Sequence, residues 1–107
     1  MAKRKLSARA ERRSLQRATD KLSRDRQRLA YLEPGGTSAR PIEVESASQV
    51  EPHALALSCV RCAGPNRLEE HAAVVVDGER LRVAKLACTR CGAARDVWFR
   101  LAPPLSN

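Results

Sequence analysis

The chain has 107 residues, with 20 Lys and Arg against 12 Asp and Glu and a formal net charge of +8. It contains one Phe, one Trp, one Tyr and one Met, so its apolar core must be built mainly from Val, Leu and Ala, and such small domains often need a disulfide or a metal for stability. The basic start is followed by an Arg-rich stretch rather than an apolar one, so we expect no secretion signal, no membrane span and a reducing, cytoplasmic location.

The charge is concentrated in the first third of the chain. Residues 1–33 carry 11 Lys and Arg against four Asp and Glu, a net charge of +7, whereas residues 34–107 carry nine against eight, a net charge of +1. A segment with such an excess of one sign attracts polyanions through its electrostatic field. Residues 1–33 are therefore predicted to be a basic segment that binds phosphate backbone.

Residues 7–32 within this segment predict one long helix. Ser7 is its expected N-cap, and Pro34-Gly35-Gly36 ends it. Asp20 and Arg24 are a favourable pair four residues apart, but most basic residues are spaced as like-charge pairs, which favours an external polyanion. The candidate nucleic-acid contacts on this helix are Arg9, Arg12, Arg13, Arg17, Lys21, Arg24 and Arg28.

A narrow apolar row follows the same helix. Its members are Leu15, Leu22, Leu29 and Leu32. A row of this width suits one-sided contact with a protein partner better than a symmetric coiled coil. The helix thus has two further interpretations: it docks on a protein, or it lies on an anionic membrane surface. The membrane interpretation is the weakest, because the row contains no Trp or Phe.

Residues 34–52 are rich in Pro, Gly, Ser and Thr and predict a linker, with a short edge strand where Ile42 and Val44 alternate with glutamates. From His53 the pattern changes to β. Asp77-Gly78 separates two β-prone runs at 68–76 and 79–87 and predicts a type I′ hairpin that pairs Val75 with Arg80. A last strand is expected at 95–101, and residues 103–107 form a tail.

Four cysteines stand in two matched CxxC pairs, Cys59 with Cys62 and Cys88 with Cys91, separated by 25 residues. Two CxxC loops complete the four-thiolate tetrahedron that Zn²⁺ prefers in a structural role. Mononuclear iron uses the same spacing, and in an oxidising compartment the four thiols would pair as two disulfides. Four thiolates leave no open position for water, so we expect no catalytic residues, no enzyme activity and no small-molecule substrate.

The order of knuckle, strand, tight hairpin, knuckle and strand resembles the zinc ribbon superfamily over residues 53–102. The resemblance rests on the four cysteines and on Gly92 directly after the last one. In the first knuckle, Ala63 takes the corresponding place and Gly64 comes one residue later. The resemblance implies a three-stranded antiparallel sheet with bound Zn²⁺ and implies no particular activity. The chain as a whole is predicted to be a small mixed fold, a basic N-terminal helix followed by this ribbon.

Three further side chains have competing interpretations. Trp98 shares a strand face with Asp96 and Arg100, where it either stacks on a base or docks on a protein, or covers the second side of a thin sheet. His53 and His71 are expected to be strand residues rather than metal ligands.

Taken together, these patterns favour a zinc ribbon protein that associates with nucleic acid or a ribonucleoprotein through its basic helix. The alternative is a protein-interaction adaptor that docks on a larger machine such as RNA polymerase or the ribosome. Little aromatic interleaving and no base-reading motif accompany the basic residues, so binding is expected to be mostly electrostatic. The sequence does not distinguish DNA from RNA.

Overall fold

A computed structural model describes residues 7–103. Residues 1–6, at the start of the predicted basic segment, and residues 104–107 of the predicted tail lie outside the described residues. The elements in chain order are helix α1 (Ala8–Leu32), strand β1 (Ile42–Val44), the 3₁₀ turn η1 (Ala47–Gln49), helix α2 (Val50–Leu55) and strands β2 (Asn66–Val76), β3 (Glu79–Cys88) and β4 (Ala94–Leu101). Within the described residues, no helix combines the length and the apolar character needed to cross a bilayer.

Helix α1 begins at the predicted residue. The Ser7 hydroxyl accepts a hydrogen bond from the Ala10 N–H at 3.1 Å, which satisfies one of the unpaired donors of the first turn. After the helix ends, Gly35 has a φ of 87° and Gly36 donates its N–H to the Glu33 carbonyl at 3.0 Å. The helix is thus delimited by a serine cap and a glycine turn, as the sequence indicates.

The prediction of three antiparallel strands is wrong, because the sheet has four strands in the order β1-β4-β3-β2. Strand β1 pairs in parallel with β4, Ile42 opposite Phe99 and Val44 opposite Leu101. The pairing is stabilised from both ends: Trp98 donates its N–H to the Gly35 carbonyl at 2.8 Å, and the Ala102 N–H reaches the Val44 carbonyl at 2.7 Å. The segment after α1 therefore lies beside β4 as an edge strand, and Val44 is buried there.

The expected start of the β pattern at His53 is also wrong, since His53 lies in helix α2 and the strands of the hairpin begin only at Asn66. Val50, Ala54 and Leu57 recur at the spacing of one helix face, and the first two are fully buried. The His53 ring meets the Phe99 ring nearly at right angles, with centroids 5.6 Å apart. Helix α2 thus covers one face of the sheet, which a strand at this place would not do.

The hairpin of β2 and β3 has the predicted register, with Val75 opposite Arg80. Asp77 and Gly78 both have positive φ, 50° and 77°, as a type I′ turn requires. The core lies between α2 and the sheet face that carries Leu86, Val97 and Phe99. Its fully buried large side chains are Phe99, Leu86, Val50 and Val97, and burying each stabilises the fold by about 1.5–3 kcal/mol.

Candidate metal centre

The four cysteine sulfur atoms lie together at one end of the sheet, all within 4.8 Å of one another. The Sγ atoms of Cys59 and Cys91 are 3.6 Å apart, and those of Cys62 and Cys88 are 3.4 Å apart. With metal–sulfur bonds of about 2.3 Å, a tetrahedron has sulfur–sulfur edges of about 3.8 Å. All four thiols are free rather than paired as disulfides. The donor set therefore fits a single metal ion.

Two knuckles with the same hydrogen bonds hold these sulfurs. In the first, the Cys59 carbonyl accepts from the Ala63 N–H at 2.8 Å, and the Cys59 N–H donates to the Gly64 carbonyl at 2.9 Å. The second knuckle repeats both bonds, at 3.0 and 2.9 Å, through Cys88, Gly92 and Ala93. Strand β3 delivers Cys88 to its knuckle, and the segment between α2 and β2 delivers Cys59.

The residue after the second cysteine of each knuckle has left-handed backbone conformation. Gly92 has a φ of 77° and Ala63 a φ of 62°. The first knuckle thus makes the same turn without a glycine at this position, at a steric cost of about 1–2 kcal/mol. Gly64 serves a different purpose: a Cβ there would lie 3.1 Å from the Cys62 sulfur and 3.2 Å from the Cys88 sulfur. A side chain at this position would require the two sulfurs or the backbone to shift by a few tenths of an ångström.

Backbone N–H groups point at the sulfurs and stabilise their thiolate forms. Arg61 donates to the Cys59 sulfur at 3.3 Å and Gly64 to the Cys62 sulfur at 3.4 Å. The Cys88 sulfur accepts two such bonds, from Arg90 at 3.3 Å and Cys91 at 3.4 Å.

The pKa values of the thiols follow from these contacts. The N–H groups of Cys91 and Arg90 outweigh burial and lower the pKa of Cys88 to about 6. The Gly64 N–H lowers the pKa of Cys62, but the neighbouring Cys88 sulfur and burial raise it to about 11. The site is therefore built to hold negative charge shared among sulfurs, which a cation neutralises.

The seven predicted basic contacts on α1 are all exposed. Among residues 7–103, no ion pair within 4.0 Å involves a residue of α1. The favourable pair expected between Asp20 and Arg24 is absent from this set, and the Asp20 carboxylate instead accepts from the Gln16 side-chain amide at 3.0 Å. The positive charge of the described helix is thus not neutralised by nearby carboxylates.

The predicted apolar row on α1 is exposed as well. Leu15, Leu22, Leu29 and Leu32 are 68%, 51%, 62% and 63% exposed. The only buried residue of α1 is Ala30. The helix therefore contacts the rest of the described chain through small and polar residues near its end, and its leucines remain in solvent.

Trp98 is half-buried and lies opposite Val83 on the sheet face away from α2. It lines a cavity that also contains Tyr31 of α1 and Arg95 of β4. The sequence analysis placed Arg95 beside Trp98 but did not single out Tyr31, because the proximity of Tyr31 depends on how α1 docks against the sheet. No local pattern in the sequence indicates that contact.

His53 and His71 are not part of the described cysteine cluster. The His71 Nδ1 is 3.6 Å from the Glu51 carboxylate of α2.

Comparison of the chain with family models, with curated proteins and with solved structures finds no match. The interpretation of the site therefore depends on its own residues.

Proposed function

We propose that Cys59, Cys62, Cys88 and Cys91 hold Zn²⁺ in a closed structural site of the zinc ribbon type. The four-sulfur donor set and the N–H groups directed at the sulfurs support this assignment. Four thiolates leave no position for water, so the proposed role of the metal is structural rather than catalytic. Free thiols are also consistent with a reducing cytoplasm.

Metal analysis of the purified protein tests this assignment. We expect one equivalent of zinc per chain, lost when Cys88→Ser removes the sulfur that accepts two backbone N–H groups. A red protein with one equivalent of iron would overturn the choice of zinc, because iron forms coloured complexes with thiolates whereas Zn²⁺ is colourless.

We further propose that the protein associates with nucleic acid, or with a ribonucleoprotein, through the basic side chains of α1. One observation carries this proposal: eight exposed Arg and Lys side chains, including the seven predicted contacts, lie on a helix that has no ion pair within the described residues. Arg forms forked hydrogen bonds with phosphate and is more weakly hydrated than Lys. Such a helix releases counterions when it binds a phosphate backbone.

Binding of a mixed-sequence RNA and a DNA duplex across a salt series tests the proposal. With about five to seven phosphate contacts we expect a log–log salt slope of about −4 to −6. Replacing Arg12, Arg13 and Arg17 together by Gln should make the slope shallower by about 2–3. If the unmodified protein binds neither nucleic acid at physiological salt, the proposal fails.

A second candidate function follows from the exposed leucines. Under this alternative the protein is an adaptor, and Leu22 and Leu29 dock α1 on a larger machine such as RNA polymerase or the ribosome. Replacing both by Ser should then abolish capture of the partner and leave nucleic-acid affinity unchanged. Under the nucleic-acid proposal, only the arginine variants should lose binding.

A further inference from the structure

Helix α1 and the first cysteine knuckle form the two walls of a groove. The Ser23 hydroxyl donates to the Arg61 carbonyl at 3.4 Å, which joins the helix to the knuckle. Beside this contact lies a cavity of about 470 Å³, here called the arginine cavity. It is lined by Arg17, Asp20, Ser23, Arg24, Gln27 and Arg61.

A second cavity continues the groove toward the end of α1. It has a volume of about 440 Å³ and is here called the tryptophan cavity. Gln27 lines both cavities, so the two adjoin at this side chain. The side chains that offer stacking surfaces or hydrogen-bond donors in the tryptophan cavity are Tyr31, Thr37, Ser38, Arg95 and Trp98.

The geometry of α1 separates its basic and apolar sides. Arg13, Arg17 and Arg24 recur at four and seven residues and lie in one row that leads into the arginine cavity. Leu15 and Leu22 are each two residues away from a member of this row. At 3.6 residues per turn, that spacing places them on nearly the opposite side of the helix. The groove is therefore bordered by arginines, and the leucines face away from it.

Arg95 is a half-buried guanidinium with no ion pair within 4.0 Å among residues 7–103. Burial lowers its pKa, and the more distant charges of Glu33 and Cys59 only partly oppose this effect. A charge taken partly out of water is stabilised when it gains a hydrogen-bonded anion or acceptor. Arg95 thus lacks a bonded partner inside the tryptophan cavity, where a ligand would provide one.

The groove also contains carboxylates. Asp20 lines the arginine cavity and Asp96 the tryptophan cavity, against four arginines in the two cavities together. Asp20 already accepts a hydrogen bond from Gln16 at 3.0 Å. The groove therefore keeps an excess of positive charge and complements a polyanion.

We propose that this groove binds a single strand of nucleic acid, with phosphates along Arg17, Arg24 and Arg61 and one base stacked on Trp98. The inference rests on the proposed nucleic-acid function and specifies the form of the ligand. An arginine row beside an aromatic side chain is the usual means of holding unpaired bases, because every base has a face that stacks. In a duplex the bases are already stacked on one another, so none is available for Trp98.

Trp98 is the single tryptophan of the chain, so its fluorescence reports directly on the tryptophan cavity. The experiment titrates the zinc-loaded, full-length protein with a mixed-sequence single strand of about 12 nucleotides and, in parallel, with the matching duplex. RNA and DNA versions of both are used. We expect the single strand to quench the Trp98 emission and to bind more tightly than the duplex at the same salt concentration.

The knuckles provide a matched pair of variants. Arg61 and Arg90 occupy the same position in the first and second knuckle, and each donates its N–H to a cysteine sulfur at 3.3 Å. Arg61 lines the arginine cavity, whereas Arg90 lines neither cavity. Arg61→Gln should weaken single-strand binding about threefold to tenfold and reduce the salt slope by about 0.7, and Arg90→Gln should change neither. Trp98→Leu should weaken binding about tenfold.

The outcomes separate this inference from the function it rests on. If nucleic acid binds without quenching the Trp98 emission, and Arg61→Gln and Arg90→Gln bind it with equal affinity, the groove is not the binding site. Nucleic acid would then bind the exposed basic side chains of α1 outside the groove. Tighter binding to the duplex than to the single strand would likewise exclude the groove as a single-strand site and leave nucleic-acid binding itself intact. Quenching by poly-glutamate but not by a single strand would replace the ligand by an acidic protein segment. Absence of binding to any nucleic acid would remove both proposals.

Discussion

Ala63 adopts a backbone conformation that the second knuckle gives to a glycine. Its φ of 62° corresponds to the 77° of Gly92, and the surrounding hydrogen bonds are the same. A Cβ in this conformation approaches the following carbonyl oxygen, whereas glycine has no such conflict. The two knuckles are therefore alike in shape but not in local strain.

We predict that Ala63→Gly stabilises the metal-loaded protein by about 0.5–1 kcal/mol. This is the left-handed penalty of about 1–2 kcal/mol less the entropic cost of a glycine in the unfolded chain, about 0.5–1 kcal/mol. Gly92→Ala should destabilise the protein by a similar amount, and nothing lies within 4 Å of the added Cβ. Urea unfolding of both variants measures the two effects. If Ala63→Gly is destabilising, strain at this position is not what distinguishes the knuckles.

Gly64 gives a second prediction at this scale, concerning metal affinity. The Cβ of Gly64→Ala would lie 3.1 and 3.2 Å from the sulfurs of Cys62 and Cys88, which a bound metal prevents from moving apart. We expect zinc affinity to fall by about tenfold, measured by competition with a chromogenic chelator. Gly78→Ala, in the distant hairpin turn, is the control and should leave the affinity unchanged. If the unmodified protein, Gly64→Ala and Gly78→Ala all bind zinc with equal affinity, the sulfurs tolerate the added methyl group.

Among the secondary-structure elements, features encoded by neighbouring residues were predicted correctly, whereas contacts between distant segments were not predicted. The N-cap Ser7 and the turn at Asp77-Gly78 are encoded by adjacent residues, and the sequence located both. The alternation of Ile42 and Val44 with glutamates predicted the short strand β1, but its parallel pairing with β4, more than 50 residues later, has no local signal. Helix α2 was missed because its six residues contain a single apolar repeat at helical spacing, Val50 to Ala54, which is too short to be distinguished from a strand.

The cysteine cluster was predictable for the same reason as the turns. CxxC spacing is local, and the hairpin between the pairs brings them together. The groove was not predictable, because it depends on how α1 docks against the knuckle at Ser23 and Arg61. Residues such as Tyr31 and Arg61 line these cavities only because of this docking.

The turn between α1 and β1 is tied to the sheet at Gly35, which leads to a prediction for the element. Gly35 has a φ of 87°, and a Cβ there would lie 2.6 Å from Ile42 Cδ1 and 3.1 Å from Val97 Cγ1. Gly78 has a φ of 77° with nothing within 4 Å of an added Cβ. Gly35→Ala should therefore destabilise the fold by about 2–4 kcal/mol, from strain and overpacking together, and Gly78→Ala by about 1 kcal/mol from strain alone.

Urea unfolding of the two variants distinguishes these contributions. The difference between them measures how tightly the turn packs between β1 and β4. Equal losses of stability would mean that Ile42 and Val97 move aside at no cost and that the turn is only loosely attached to the sheet. Because Gly35 also accepts the Trp98 N–H, a loosened turn should be visible in the hydrogen exchange of that amide.

As a whole, the molecule is elongated, with principal extents of 78 × 24 × 22 Å, because α1 projects beyond the sheet. A long thin shape buries little apolar surface, and the buried cluster has only seven members. Five of the seven are Val or Ala, so most of the buried side chains in this cluster are small. The first knuckle contributes both to the metal centre, through Cys59 and Cys62, and to the groove, through Arg61. Stability, ligand binding and metal occupancy are thus expected to be coupled.

Removing the metal should therefore unfold the β-sheet and its knuckles rather than merely leave the four-cysteine site empty. Structural zinc contributes about 10–16 kcal/mol in small zinc peptides, which matches or exceeds the entire stability of about 5–15 kcal/mol typical of a folded domain. We expect a strong chelator to shift the Trp98 emission to longer wavelength, to abolish hydrogen-exchange protection in β3 and β4, and to eliminate the cooperative thermal transition. Re-adding zinc should restore all three. A chelated protein that still melts cooperatively with Trp98 in an apolar environment would show that the α2 core suffices without the metal.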